Sequence, residues 1–130
     1  MIRITEGEPV AQFVARQCGI DGFADPYRAI GYTLDGAILG GAVFNGYTSR
    51  NVDLSIGHEA RSWPVPFVRY FGDYIWETLG VSRVTMIVRP ELSPLCKRMG
   101  AEFEGILRKW YPDGDAALFG LLREDWSFKK

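Results

Sequence analysis

Histidine and cysteine are scarce in this chain of 130 residues, which contains a single histidine, His58, and two cysteines, Cys18 and Cys96. Zinc sites in proteins use sets of closely spaced Cys, His or carboxylate ligands, and two cysteines so far apart match no such spacing. The sequence therefore argues against a metal site. Two widely separated free thiols are typical of a reducing compartment.

Neither sign of charge dominates, since 15 Lys and Arg residues balance 16 Asp and Glu residues. The chain therefore lacks the overall positive field that draws proteins to nucleic acid or to anionic membranes. Gly, Arg or Asp interrupts every apolar run well before it reaches the length of a membrane span, and residues 1–5 resemble a strand rather than a signal region. We expect a soluble, cytoplasmic protein without membrane contact, folded as one domain over residues 1–130.

The chain does have a regular succession of strand and helix patterns. Asp35-Gly36 between two apolar runs predicts a tight hairpin, and apolar residues at helical spacing predict a helix over residues 65–79 that ends at Gly80. Ser93-Pro94 predicts a helix N-cap followed by its first residue. The predicted order is β-α-β-β-β-α-β-α-β-β. This indicates the α+β (α/β layered) class, with a mixed, mostly antiparallel twisted sheet and helices on both faces.

The order of elements after residue 81 carries a family resemblance. A short helix ends at Met99-Gly100, residues 104–108 read Glu-Gly-Ile-Leu-Arg, and an Asp-Gly hairpin follows at Asp113-Gly114. This stretch resembles the closing half of the GNAT (N-acetyltransferase) superfamily, and within it the small GNAT-like proteins of bacteriophages. The resemblance implies an acyl-CoA-dependent N-acyltransferase, in which a small-molecule or peptide amine attacks the thioester of acetyl-CoA or another acyl-CoA directly.

In this superfamily the fourth and fifth strands part, and the free edge of the fourth strand binds the pantetheine arm of the cofactor. Here that edge corresponds to residues 54–58, and the following phosphate-binding segment corresponds to residues 61–67. The usual glycine-rich pattern is absent there, and Pro64 and Pro66 have no N–H to donate to a phosphate. The resemblance thus assigns cofactor binding to Ile56, Gly57, His58, Arg61, Ser62, Trp63, Val65 and Arg89.

The catalytic candidates are Asp53, His58 and Cys96. Asp53 occupies a position where family members carry a glutamate as general base, and a solvent-exposed strand aspartate is the alternative. His58 is a candidate because the reference pKa of histidine lies near neutrality; the alternative is a surface or capping residue at the strand end, and Glu59 could share either role. Cys96 takes the place of the family's proton-donating tyrosine, or is a small buried hydrophobic residue. Arg89 replaces an asparagine that contacts the cofactor, and is otherwise a solvated strand end.

Three functional hypotheses remain open from the sequence. The first is the acyltransferase, with an acceptor site formed by residues 9–26 and 111–115. The second is a GNAT-shaped binding or structural module without a cofactor, whose aromatic helix surface holds a protein partner or a second copy in a homodimer. The third is a phage-type nucleobase-modifying enzyme, since Trp63 and Tyr70 beside Arg61 and Arg69 could stack on bases. The balanced charge weighs against tight binding to nucleic acid.

Overall fold

The computed structural model of the protein describes residues 1–59 and 63–129. Its centre is a seven-stranded sheet with the strand order β1-β2-β3-β4-β5-β7-β6. The strands are β1 (Ile2–Glu6), β2 (Arg28–Leu34), β3 (Ala37–Asn45), β4 (Asn51–His58), β5 (Arg83–Val88), β6 (Glu102–Tyr111) and β7 (Gly114–Leu122). Among these described strands only β4 and β5 run parallel, and every other neighbouring pair is antiparallel. The predicted fold class is confirmed.

In the part of the chain that the structure describes, three α-helices cover the two faces of the sheet: α1 (Glu8–Cys18), α2 (Val65–Asp73) and α3 (Ser93–Met99). On one face α1 packs against β3 and β4 in a small core. On the other face α2 and α3 share a larger core with the strands, which includes Phe67, Phe71, Cys96 and Met99. Within the described residues, no helix is long and apolar enough to cross a membrane, and no group of side chains could hold a metal ion.

Local turn chemistry places several of these elements. Asp35 and Gly36 have φ values of 52° and 85°, the positive angles that a two-residue hairpin turn needs, so the predicted hairpin is confirmed. The helix predicted over residues 65–79 is present and ends at Gly80, but only Val65–Asp73 is α-helical. The last six residues, Tyr74–Leu79, form a π-helix, a wider winding that periodicity in the sequence does not distinguish from an α-helix.

The prediction that Ser93 caps α3 is wrong. A short 3-10 turn, Pro90–Leu92, precedes the helix, so Leu92 occupies the cap position. The hydroxyl of Ser93 donates to the carbonyl of Pro90 at 2.6 Å instead of accepting from the N–H groups of the helix. The proline-rich local sequence favours a tight turn before α3, and that turn draws the serine into the first helical residue.

Two glycines let helices approach the sheet and the C-terminal segment closely. A Cβ on Gly57 of β4 would lie 3.0 Å from the Cα of Val14, so the bare backbone here lets α1 rest on the end of β4. A Cβ on Gly72 of α2 would lie 2.4 Å from the Trp126 ring. The segment after β7 is thereby packed against α2, where Trp126 is buried.

Candidate active site

The most unusual feature of the sheet is a gap between its two parallel strands. Backbone pairing of β4 with β5 runs from Asn51 and Arg83 to Ser55 and Ile87. Beyond that point β4 continues to His58, whereas β5 ends at Val88 and the chain turns away into the 3-10 turn. In the described structure no strand pairs with the β5 side of residues 56–58. A backbone edge with free hydrogen-bonding groups is a place where an extended ligand can add like a strand.

Two side chains fill this gap from the α1 side of the sheet. The Cys18 thiol, at the end of α1, donates to the carbonyl of Ile56 on β4 at 3.8 Å. The Tyr111 hydroxyl, at the end of β6, donates to the carbonyl of Ile87 on β5 at 3.5 Å. Burial raises the pKa of both groups, so each is a neutral donor at physiological pH. Each strand end is thus bonded to a side chain instead of to the other strand.

Arg89, the residue after β5, contacts both the end of α1 and the β6-β7 hairpin. Its guanidinium donates to the carbonyls of Gln17 at 2.9 Å and Cys18 at 3.1 Å, the last residues of α1. It also pairs with Asp113 in the hairpin turn at 3.1 Å and lies 4.6 Å from the centre of the Tyr111 ring. A cation beside the C-terminal carbonyls of a helix is favourable. Arg89 therefore ties together α1, β5 and the β6-β7 hairpin; we call this set of contacts the Arg89 clamp.

The opposite side of the gap is aromatic. His58 Nε2 and the Tyr32 hydroxyl are hydrogen-bonded at 3.0 Å, and the Trp63 ring lies 5.0 Å from the His58 ring and 5.0 Å from that of Phe67. Burial raises the pKa of Tyr32, so the phenol stays protonated and available to the imidazole. The half-buried His58 is consequently held between a hydroxyl and an indole at the open end of β4.

A groove between α2 and α3 leads from this aromatic side towards the surface. It is lined by Trp63, Val68, Leu95, Arg98, Met99 and Phe128, and its remaining cavity has a volume of only about 10 Å³, room for no more than one water molecule. The half-buried Phe128 ring packs at 5.5 Å from Trp126 and helps to fill the groove. The Trp63 Nε1–H is buried and has no hydrogen-bond partner among the residues described.

Asp53 lies on the α1 face of β4, opposite the apolar row, as the alternation of the strand predicted. It is half-buried and accepts a hydrogen bond from Asn51 at 3.0 Å. The Asn51 side chain in turn accepts from Thr85 at 2.7 Å, and Thr85 accepts from Arg83 at 3.1 Å. Asp53 thus belongs to a polar network on the sheet and is not a freely solvated strand residue.

The other predicted site residues are distributed more widely. Ile56, Gly57 and His58 form the open edge of β4, and Val65 begins α2 at the surface. Arg61 and Ser62 lie outside the described residues. Glu59 accepts from the Gln17 side chain at 3.1 Å.

Trp63 and Cys96 are buried, whereas a surface site needs exposed side chains. The interpretation of Trp63 as a surface residue that stacks on a base is wrong, because its indole is buried beside His58. Tyr70 is at the surface, where its hydroxyl donates to Glu6 at 2.7 Å. Cys96 has no exposed surface, and burial raises the pKa of its thiol to about 12. These are the surroundings of a core residue.

Sequence reasoning included Cys18 and Tyr111 only within the ranges 9–26 and 111–115 of the expected acceptor site, and it missed Tyr32; all three contact the gap or its histidine. Cys18 ends a helix, Tyr32 lies within a strand, and Tyr111 precedes a turn. No spacing in the sequence connects them, because folding brings the end of α1, strand β2 and the end of β6 to the gap from distant parts of the chain. The Asp-Gly turn after Tyr111 was the one local signal, and it indicated a hairpin without indicating what the hairpin faces.

No protein-family model matches the chain, and none of the curated proteins matches its sequence. Several solved structures do match its fold. A putative acetyltransferase from T. thermophilus superimposes with a TM-score of 0.62 at 20% identity; the match covers 79% of this chain but only 62% of that protein. The spermidine N-acetyltransferase from Vibrio cholerae in complex with CoA and spermine gives a TM-score of 0.70 at 11% identity, covering 95% and 96% of the two chains.

A third similar structure is the ribosomal-protein-S18-alanine N-acetyltransferase from Escherichia coli, with a TM-score of 0.63 at 18% identity and 94% of each chain covered. Identities this low establish the fold and leave the activity to be argued from the site. The finer resemblance to bacteriophage proteins stays a prediction. The parting of β4 and β5 and these three likenesses agree, and the chain has the fold of the GNAT N-acetyltransferases.

Proposed function

We propose that the protein is an acyl-CoA-dependent N-acyltransferase acting on a small-molecule or peptide amine. The observation that carries the proposal is the parting of β4 from β5 after Ser55 and Ile87. In the gap no described strand pairs with the β5 side of Ile56 and Gly57, which lie next to His58, the only histidine of the chain. Such an edge suits an extended ligand rich in amide groups, and the pantetheine arm of CoA is a ligand of this kind.

The residues present fit the pantetheine arm better than they fit the nucleotide end of CoA. The edge of residues 56–58, which no described strand pairs with on its β5 side, would offer backbone groups to the arm once the Cys18 thiol releases the Ile56 carbonyl. At the start of α2, Pro64 and Pro66 contribute no N–H, so Val65, the predicted Arg61 and Ser62, and Arg98 in the groove are the groups left for phosphate. Phe128 fills part of that groove, and binding of a whole CoA molecule requires its ring to move.

When bound, acyl-CoA supplies the activated thioester carbonyl, and the side chains of the protein prepare the amine. We assign the general base to Asp53, because it lies on the α1 face, as do the residues 9–26 that we expect to form the acceptor site. Its carboxylate would take one proton as the amine nitrogen bonds to the carbonyl carbon and the carbon–sulfur bond breaks. The thiolate leaves unprotonated, since a thiol with a pKa of roughly 8.5 is a good leaving group near neutral pH. Cys96, buried in the core, has no part in this scheme.

Isothermal titration calorimetry with acetyl-CoA tests the proposal, using the native protein and the Phe128→Ala variant. We expect both to bind, and the variant to bind more tightly because its groove is already open. Phe103→Ala is the matched control, since Phe103 is a phenylalanine on the far edge of the sheet and its removal should leave the affinity unchanged. Failure of both proteins to bind at millimolar acetyl-CoA would refute the proposal.

Asp53→Asn separates binding from chemistry. It keeps a side chain of the same shape that can still bond to Asn51, so acetyl-CoA affinity should be retained. Turnover of a responsive amine, followed by thiol release, should fall by about 100-fold or more, the usual contribution of a general base. An Asp53→Asn variant with native turnover would remove the assignment of Asp53 while leaving the acyltransferase proposal in place.

A second candidate is a GNAT-shaped binding module that uses no cofactor. The observation that favours it is the filled groove between α2 and α3, together with the two prolines at the start of α2. The calorimetric experiment separates the candidates, because the module binds acetyl-CoA in neither the native nor the Phe128→Ala form.

A further inference from the structure

The gap between β4 and β5 has one closed end. The two strands pair up to Ser55 and Ile87 and part after these residues, so the strands themselves close the gap there. Beyond that point β4 contributes residues 56–58 to one side of the gap, a length of about 10 Å at the rise of a β-strand. A ligand that follows this edge must therefore stop where the strands come together.

The direction in which an acyl-CoA would enter follows from the groups that are left for its phosphates, and this step rests on the proposed function. Val65 begins α2 shortly after β4 ends. Arg98 lines the groove together with Trp63, whose ring lies 5.0 Å from the His58 ring. Phosphates held at the His58 end send the pantetheine arm along residues 56–58 towards the closed end. The acyl group, attached to the sulfur at the tip of the arm, lies deepest in the gap.

Two buried side chains close this deep end on the α1 side. The Cys18 thiol donates to the carbonyl of Ile56 at 3.8 Å. The Tyr111 hydroxyl donates to the carbonyl of Ile87 at 3.5 Å. Cys18 and Tyr111 are only 2% and 4% exposed, and their side chains also interact with each other. We call this pair the Cys18–Tyr111 wall, because an acyl group at the tip of the arm would meet it.

The wall has little freedom to yield. Arg89 donates to the carbonyl of Cys18 at 3.1 Å, and its guanidinium lies 4.6 Å from the centre of the Tyr111 ring. Gly19, with a φ of 70°, ends α1 directly after Cys18 and fixes the backbone of that residue. Close-packed protein interiors respond to the addition of a single methylene. The position of the wall therefore sets the room that is left for an acyl group.

We propose that Cys18 and Tyr111 determine the acyl specificity of the protein and select acetyl over longer acyl groups. An acetyl group ends one carbon beyond the thioester carbonyl, whereas propionyl and butyryl groups extend one and two carbons further towards the wall. Since one methylene changes binding in a pocket of fixed size by about 10-fold to 200-fold, affinity should fall about tenfold from acetyl-CoA to propionyl-CoA. Butyryl-CoA should bind about 100-fold more weakly than acetyl-CoA.

Isothermal titration calorimetry with CoA, acetyl-CoA, propionyl-CoA and butyryl-CoA tests the proposal. Cys18→Ala and Tyr111→Phe each remove one heavy atom from the wall. Cys96→Ala is the matched control, because it removes the same sulfur atom from a buried cysteine in the core on the other face of the sheet. The measured quantity is the ratio of propionyl-CoA affinity to acetyl-CoA affinity. A ratio is needed because loss of the Cys18 thiol also frees the Ile56 carbonyl, which changes the affinity for all four ligands.

The ratio should rise by about fivefold or more in Cys18→Ala and in Tyr111→Phe and should stay at its native value in Cys96→Ala. Circular dichroism confirms that each variant is folded. A native protein that binds all three acyl-CoAs equally, or a ratio that neither wall variant changes, overturns the selectivity and leaves the acyltransferase in place. An equal rise in Cys96→Ala also overturns it. If neither CoA nor any acyl-CoA binds, the proposed function itself is refuted, and the selectivity with it.

Discussion

Replacement of Arg89 tests whether the clamp holds the candidate site together. Arg89→Met removes two charged hydrogen bonds to the carbonyls of Gln17 and Cys18, and such bonds contribute about 1.5 to 3 kcal/mol each. The contact with the Tyr111 ring adds about 0.5 to 1 kcal/mol. The pair with Asp113 adds little, since that side chain is 68% exposed and exposed pairs contribute about 0 to 1 kcal/mol.

Water can replace part of what is lost, because the Arg89 side chain is itself 23% exposed. We therefore expect Arg89→Met to lower the free energy of unfolding by about 3 kcal/mol, at the upper end of ordinary single substitutions. Arg89→Lys should lose about half as much. Lysine keeps the charge beside the end of α1 but cannot bond two carbonyls and a carboxylate with one planar group.

Urea unfolding followed by tryptophan fluorescence and by circular dichroism measures these differences. Asp113→Asn is the control and should change the free energy of unfolding by less than about 1 kcal/mol. An Arg89→Met protein within about 0.5 kcal/mol of the native one, the range of an ordinary surface substitution, would refute the clamp. If its acetyl-CoA affinity then fell sharply, Arg89 would serve the cofactor phosphate, as the family resemblance implies.

Three further substitutions probe other parts of the structure. Gly72→Ala should destabilise the fold by about 1 to 3 kcal/mol in urea unfolding, because its Cβ would meet the Trp126 ring at 2.4 Å. The pKa of Cys96 is raised by burial from 9.0 to about 12, so its stabilising effect is present below pH 9 and is lost as the pH rises towards 12. The stability difference between native and Cys96→Ala proteins should consequently narrow from about pH 9 to about pH 11. The pKa of Glu6 is lowered by its hydrogen bond from Tyr70 and by Arg28, so the stability lost in Glu6→Gln should be present at about pH 7 and disappear as the pH falls below roughly 4; a constant difference would contradict it.

The elements of the fold that could be predicted are those fixed by neighbours in the sequence. Asp35 and Gly36 adopt the positive φ angles of a two-residue turn whatever lies elsewhere, and Gly80 ends its helix in the left-handed conformation for a local reason. The cap of α3 was mispredicted because the hydroxyl of Ser93 had two competing partners. The hydroxyl donates to the carbonyl of Pro90 instead of accepting from a helix N–H. Residue type alone does not predict which of two hydrogen bonds of similar energy forms.

The candidate site was only partly predictable, for a geometrical reason. The family resemblance placed the free edge of β4 at residues 54–58, and this was partly wrong, because Leu54 and Ser55 pair with β5 and only residues 56–58 lie at the gap. The face occupied by Asp53 follows from strand alternation. The filling of the gap does not, because Cys18, Arg89 and Tyr111 meet only after three separate elements are in place. Arg89 illustrates the difficulty. The family resemblance gives Arg89 a position that contacts the cofactor, and that role stays a prediction. Its guanidinium contacts the end of α1, and only the packed structure shows that helix end to be within reach.

The two sides of the gap differ in how much it costs to open them, and this decides where a thioester substrate would enter. Opening the α1 side breaks the hydrogen bonds of the Arg89 clamp, which costs about 3 kcal/mol or more. Opening the groove between α2 and α3 displaces one half-buried ring, Phe128, for which about 1.5 kcal/mol is a fair estimate. Entry through the groove is thus the less costly route. If only a fraction of the molecules have an open groove, the apparent affinity for acetyl-CoA is the intrinsic affinity multiplied by that fraction. Phe128→Ala should therefore tighten acetyl-CoA binding by about tenfold. A much larger gain would mean that other residues of the segment after β7 also hold the groove closed.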